Sequence, residues 1–328
     1  MSKDKWWKPT QDTTEGTARK TMDYEYSLDE FAEGIPTSVG VEKGSHKEDE
    51  YQTTNQWTEI GHRLFMPVGK TSKKLVAGMY EPVQTMRGVA LQELDHTVDD
   101  LIIFSDTPGS LVINEIKEFW SRGDKFKKQG FLHKRGYMLY GPPGGGKTAI
   151  VQQMISDTIG ADGIVLMCSD PWSVLDALSA LRSIESVRNL LCVFEDIDAT
   201  IKRFGDAAIL SVLDGERQTN HTVNLATTNY PERLEKRIVG RPRRFDRVIK
   251  IGMPELEVRL IYLSKKLDGE PAEIKTLAEQ TEGFSFAALA ELVISIKCLD
   301  LDTAQTIERL KEMQGFAEEL EKNEDEEK

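Results

Sequence analysis

The sequence predicts an α/β protein. A three-layer αβα domain built on a parallel sheet is followed by a small helical domain and preceded by a polar, partly flexible N-terminal region. Three observations carry this. Short, nearly continuous apolar runs (GYMLY, IVLMC, LLCVF, TVNLATT and RVIKIG) recur through the middle of the chain. Segments with helical spacing separate them. Beyond Pro254 only the helical period remains. Strands that are apolar on both faces and joined through helices belong to a parallel sheet covered on both sides.

Taken in order, residues 1–60 form a polar arm broken by turn-formers, as in SKDKWWKPTQDTTEGT and GVEKGSHKEDEYQTTNQ. Its apolar islands are Trp6–Trp7, Leu28 with Phe31, and Trp57. They read equally well as tethers for a partner and as segments folding back on their own domain. Residues 61–97 form a small accessory β-rich segment, with LFMPVG and KLVAGMY as short strands bounded by Gly or Pro turns. The αβα domain spans 98–252. LIIF opens it, and LVINEIKEFWSRGDKF sets Val112, Ile116, Phe119 and Trp120 at helical spacing. Val151, Met154, Ile155 and Thr158 line the next helix, and Val174, Leu178, Leu181 and Ile184 the one after it. The helical domain, 253–315, holds Leu256–Leu267, Glu273–Gln280, Phe286–Cys298 and Ala304–Met313. Residues 316–328 are an acidic tail expected to fray.

At 328 residues, 30% charged and 39% hydrophobic, the chain has ample length for a buried core. A formal net charge of -13 disfavours unspecific binding to a nucleic-acid backbone. Cys168, Cys192 and Cys298 stand far apart with no CxxC pair, which argues against a disulfide framework and a zinc site. Reduced thiols, no apolar run of spanning length and no apolar stretch in MSKDKWWKPTQD together predict a soluble, cytoplasmic protein without a secretory signal.

GPPGGGKT, Gly141 to Thr148, satisfies every fixed place of the G-x-x-x-x-G-K-[ST] pattern, between an apolar strand and a helix. Such a loop identifies the αβα domain as a P-loop NTPase. Gly141, Pro142, Pro143, Gly144, Gly145 and Gly146 wrap backbone around phosphate oxygens, and the helix start at Ala149 adds exposed N–H groups. Lys147 is expected to reach the β- and γ-phosphates, and the Thr148 hydroxyl to ligate Mg²⁺. ATP and Mg²⁺ are the expected ligands. The chemistry also needs acids at the end of a neighbouring strand. LLCVFEDID supplies Glu195 and Asp196, in the reverse of the usual Asp–Glu order. Glu195 would then hold Mg²⁺ and Asp196 would orient the attacking water from a side chain one methylene shorter. A misplacement of about 1 Å can slow a reaction on the order of 100-fold. Asn229, ending TVNLATTN, would lie between loop and acids and touch the γ-phosphate or the water. RIVGRPRRFDR, Arg237 to Arg247, is basic within an acidic chain; it suits transition-state charge on phosphate, nucleic-acid contact or salt bridges.

The order of GPPGGGKT, CVFEDID, SVLDGERQTNHTVNLATTNYPERL and RPRRFDRVIKIGMPE resembles that of the AAA family proper of AAA+ ATPases, over Val98 to Met313, about two thirds of the chain. The resemblance implies that Asn229 is a sensor-1 residue. It implies that Arg241 and Arg244 are arginine fingers acting on the adjacent subunit's ATP in a hexameric or heptameric ring, with Arg243 in place of a glycine between them. It aligns VDDL, with Asp100 and Leu101, to the segment that passes the adenine. GFSFAAL, with Ala287, then aligns to the motif of a helical lid that approaches the nucleotide. The lead-in EIKEFWSRGDKFKKQGFLHKRGYMLY is similar to the mitochondrial AAA translocase family that moves the folded Rieske iron–sulfur protein. That family also carries Glu–Asp order, so an active ATPase is expected despite the swap. The implied function is a ring-forming ATPase that remodels or moves a protein partner recruited by the N-terminal region. The alternative is a nucleotide-gated assembly scaffold with little turnover. A nucleic-acid motor fits the charge poorly. In the short segment CSDPWSVLDALSALRSIES, Trp172 is the sole aromatic, a candidate either for gripping a substrate or for packing at a helix start.

Overall fold

Alternate residues of the central strands enter two separate apolar cores, so these strands read as unbroken apolar runs. The computed structural model describes residues 56–61, 64–68, 71–86, 88–96, 102, 104, 105, 107–214, 219–239 and 241–326, with the side chains of 56–68 and 317–326 excepted. Trp6, Trp7, Leu28, Phe31, Asp100 and Leu101 lie outside the described residues. The chain divides into two units, 1–70 and 71–328. In the first, β1 (Gln56–Gly61) and β2 (Leu64–Val68) pair as an antiparallel hairpin.

In the second unit, β3 (Gly78–Thr85) and β4 (Gly88–Leu94) form another hairpin. The chain continues through α1 (Pro108–Ser121), α2 (Gly123–Lys128), β5 (Lys134–Tyr140), α3 (Lys147–Gly160), β6 (Ile164–Met167), α4 (Pro171–Ile184) and β7 (Leu190–Phe194). Next come α5 (Ile197–Phe204), α6 (Asp206–Asp214), β8 (Thr222–Thr228), α7 (Lys236–Val239) and β9 (Arg247–Lys250). Helices α8 (Leu256–Lys266), α9 (Pro271–Gln280), α10 (Phe286–Lys297) and α11 (Thr303–Glu326) close the chain. The sheet has seven strands in the order β4-β3-β6-β7-β8-β5-β9, parallel except for the edge strand β4. Leu190, Cys192 and Phe194 of β7 pack with α4 and α6 on one face. Leu191 and Val193 pack with Val112, Ile116, Val151 and Ile155 of α1 and α3 on the other. Leu263, Leu277, Phe284, Leu289 and Leu310 form the core of the helical domain.

Four features differ from the sequence reading. KLVA is loop, and the strand begins at Gly78, because Leu75 is held by Glu185 and Arg188 rather than by a neighbouring strand. β3 and β4, within 61–97, extend the main sheet: β3 adds in parallel to β6, and the polar, Glu-bearing β4 covers the edge. Ile184 is exposed, since it sits on the last residue of α4, where the helix leaves the core. The acidic tail continues α11 to Glu326, in a stretch dominated by the helix formers Glu, Ala, Leu and Lys. Among the described residues no helix is long and apolar enough to cross a membrane.

Helix starts are locally encoded. Thr107 caps α1 with Pro108 in its first turn, and Ser110 returns the hydrogen bond to the Thr107 N–H in a capping box. Asp170 caps α4 through the N–H groups of Trp172 and Ser173. At the N-terminal end of the sheet, His133 is buried and stacked on Phe119 at 4.0 Å, with its Nε2 2.8 Å from the Phe119 carbonyl. Its Nδ1 lies 3.3 Å from Nδ1 of His221. The carbonyl fixes the His133 proton on Nε2, so Nδ1 accepts from His221. Burial holds both imidazoles below the usual range; for His221 the charges of His133 and Arg182 act in the same direction. The unfolded chain therefore takes up protons first as pH falls. Stability from this pair is full above about pH 6.5 and declines below it. Urea midpoints measured from about pH 8 to pH 5 should fall for the wild type and flatten below pH 6.5 in His133→Gln/His221→Gln.

Candidate functional site

Strand order sets the site. β5 carries GPPGGGKT at its C-terminal end, β7 carries Glu195 and Asp196, and β8 lies hydrogen-bonded between them with Asn229 directly after it. The carboxyl ends of adjacent parallel strands, where chain order reverses, form the natural ligand crevice of such sheets. Asn229 is half-buried there, between loop and acids.

The loop between β5 and α3 is a cradle that side chains would fill. A Cβ on Gly141 would fall well inside contact distance of the Ile251 carbonyl oxygen, and Gly146 caps α3 with φ +101°. Lys147 is buried; its ammonium folds back onto the carbonyls of Gly141 (2.7 Å) and Pro142 (2.9 Å). Burial holds it below the ordinary lysine range, and the Asp196 carboxylate works against that shift. Pro142 and Gly146 are half-buried, Gly145 is buried, and Pro143, Gly144, Thr148 and Ala149 are exposed. The α3 N-terminus thus presents the Thr148 hydroxyl to ligand. A glycine cradle, a lysine bent over it and acids beside it fit a nucleoside triphosphate with a divalent cation, held by Thr148 and the acid pair.

Glu195 and Asp196 are both exposed at the end of β7. Asp196 takes φ +44° and ψ +57° at the start of α5, a left-handed conformation that Asp tolerates. Its N–H donates to the Thr227 hydroxyl at 3.1 Å. Desolvation by the protein around its carboxyl, and then the Asp196 charge, raise Glu195 above the ordinary carboxylate range. The third acid, Asp198, accepts from the Thr228 hydroxyl at 2.7 Å, and the same hydroxyl accepts from the Tyr230 N–H at 3.0 Å. Thr227 and Thr228 thereby tie the acidic turn to the strand tip bearing Asn229. Nothing in the sequence signals this beyond two threonines ending a strand.

The helical domain reaches the loop through the start of α10. The Phe286 N–H donates to the Gly144 carbonyl at 2.9 Å, and a Cβ on Gly144 would meet Ser285 at 2.8 Å and Ala287 at 3.5 Å. The Phe286 ring lies against Gly146, stacked with Phe104 at 5.4 Å and edge-on to Tyr262 at 5.9 Å. Of the GFSFAAL segment, Ala287 was expected at the nucleotide; Phe286 and Ser285 touch the loop as well.

The arginine segment lies at the other end of β5. β9 pairs with β5 from Arg247↔Tyr137, and Arg244 to Asp246 sit beside Gly136. Asp246 accepts from the Gly136 N–H and the Arg243 N–H, each at 2.9 Å. Arg244 is buried, and its guanidinium binds Asp214 and the Arg237 carbonyl. Arg241 is exposed. The two arginines expected to act together are thus separated: one faces solvent and the other braces its own fold. Arg243 is exposed at φ +76°. A left-handed conformation costs a residue with a Cβ about 1–2 kcal/mol.

Residues 137–253 match the family described as "ATPase family associated with various cellular activities (AAA)". The chain carries an AAA ATPase domain. Among similar curated proteins is the ATP-dependent zinc metalloprotease FtsH of Rubrobacter xylanophilus, 30% identical over 219 residues, covering 58% of this chain and 33% of that protein. FtsH 2 of Symbiobacterium thermophilum is 28% identical over 233 residues (64% and 39%), and FtsH of Chloroflexus aggregans 29% over 251 (70% and 36%). The chain spans about a third of the length of these relatives. The AAA match covers β5 through β9, the strands that assemble the site, and supports ATP with Mg²⁺ as its ligands and ATP hydrolysis as its reaction.

The arginine geometry separates two stabilities. Arg244→Ala leaves Asp214 without its buried partner and should destabilise by about 2–4 kcal/mol. Arg241→Ala should change stability by less than about 0.5 kcal/mol. Denaturant titration of both variants measures the difference.

Proposed function

We propose that this chain is the ATPase subunit of a ring whose hydrolysis cycle moves or remodels a protein partner. One observation carries the reading. The phosphate loop and the arginine turn lie at opposite ends of β5: the loop begins at Gly141, and Gly136, five residues earlier, packs against the Arg244 carbonyl. At about 3.3 Å per residue that is about 16 Å, well beyond the reach of an arginine side chain. Arg241, exposed on the turn at that far end, is in this reading the residue that serves a neighbour's triphosphate. A six- or seven-membered ring repeats that contact, and the AAA match over residues 137–253 supports oligomerisation.

In this reading Lys147 and the loop N–H groups hold the β- and γ-phosphates, while Asn229 and one acid orient a water molecule. Mg²⁺, when bound, neutralises charge developing on the phosphate oxygens. The water oxygen bonds to the γ-phosphorus, the bond to the β–γ bridging oxygen breaks, and ADP leaves with that oxygen. The water proton passes through a carboxylate to solvent. The sequence order gives Glu195 to the cation and Asp196 to the water. Arg241 completes the neighbour's site, a contribution of about 10³–10⁵ in rate in characterised NTPases.

A protein partner is supported by the similarity to FtsH proteins and by the likeness of the lead-in segment to the Rieske-protein translocases. Trp172, 55% exposed in the first turn of α4, offers such a partner an apolar contact held in place by Pro171 and the Asp170 cap. Recruitment through the N-terminal region belongs to the same proposal.

Steady-state phosphate release tests the reading. Wild type should turn over well above about one per minute, with specific activity rising with protein concentration as subunits assemble. Lys147→Ala and Asp196→Asn should each lose at least about 100-fold. Equal release by all three proteins refutes hydrolysis at this site. Nucleotide-dependent assembly with turnover below one per minute would instead mark a scaffold.

A further inference from the structure

The arginine segment leaves free a guanidinium, that of Arg243, to which the resemblance to AAA proteins assigns no role. Of its arginines, Arg237 pairs with Asp206 and Glu235, Arg244 with Asp214, and Arg247 with Glu115. Among the described residues, the guanidinium groups of Arg241 and Arg243 meet no carboxylate, and both side chains are exposed. Arg243 is also the anomaly of the backbone. Five described non-glycine residues have positive φ; four are Asp or His, types that tolerate it, and the fifth is Arg243. Glycine would remove the strain. The turn needs only the Arg243 N–H, which donates to Asp246, and any residue except proline supplies that. An arginine in a conformation suited to glycine, with its charge left in solvent, is a local conflict of the kind that marks functional positions.

We propose that Arg243 is a second arginine acting in trans, delivered beside Arg241 to the triphosphate bound by an adjacent copy, in the role left open because Arg244 is turned inward. This rests on the ring reading above. The two exposed guanidinium groups are two residues apart on one turn, anchored through Asp246 to β5. A neighbour's bound triphosphate is a ligand with the charge and oxygen geometry to engage both. Arg244 keeps a structural task, bracing α6 and α7 against the turn.

The test compares full-length Arg243→Gly with wild type and Arg241→Ala in steady-state ATPase, binding of a fluorescent ATP analogue, and thermal melting. Arg243→Gly should lower kcat at least about tenfold, leave analogue binding within about twofold, and melt no lower than wild type because backbone strain is relieved. A wild-type kcat in Arg243→Gly alongside an impaired Arg241→Ala overturns this proposal and leaves the ring reading standing. Wild-type rates in both variants overturn the ring reading itself. A loss of activity matched by a lower melting temperature makes Arg243 a structural residue and also overturns the proposal.

Discussion

The structure depends on how closely backbone packs at the two ends of β5. Neither Gly136 nor Gly141 has room for a Cβ: the first lies against the Arg244 carbonyl and the second against the Ile251 carbonyl. These contacts press the segment entering β9 and the segment leaving it onto one strand. The Asp246 N–H donates to the Gly136 carbonyl at 2.8 Å, and the Ile251 N–H to the Tyr140 carbonyl at 2.7 Å, closing both ends with ladder hydrogen bonds. One rigid strand therefore fixes the spacing between the loop that holds phosphate and the turn that presents arginine. A ring built on that spacing has a mechanical link between each subunit's own site and its neighbour's.

The acids show how geometry can accommodate an altered motif. Exchanging Glu and Asp moves each carboxylate by about one methylene, a change large enough to slow a well-aligned reaction. In this chain Asp196 takes a left-handed backbone and is tied to Thr227, while Asp198 is tied to Thr228. The acidic turn is thus positioned by β8 as well as by β7. That second attachment gives the swapped pair a defined orientation, and it joins the acids to the strand that ends at Asn229.

Much of this was legible in the sequence, for identifiable reasons. The central strands were visible because both faces are buried, which leaves little choice of residue. The phosphate loop was visible because glycine is demanded by close contact and lysine by charge. β4 was not, because an edge strand facing solvent mixes Glu, Gln and Val without a clear pattern. The inward turn of Arg244 was hidden as well. Asp214 lies thirty positions earlier, and nothing in RPRRFDR distinguishes a braced arginine from a free one. The Phe286 contact escaped for the same reason: its partners Gly146 and Phe104 lie far from it in the sequence.

The most direct measurement of the central claim is ATPase complementation between two inactive proteins. Lys147→Ala subunits lack a competent phosphate site but carry Arg241; Arg241→Ala subunits have the reverse. If catalysis joins one subunit's loop to its neighbour's arginine, mixing and reassembling the two should give activity well above the mean of the separate preparations. Activity that stays at that mean across all mixing ratios, with mixed assemblies demonstrably formed, would contradict a shared site.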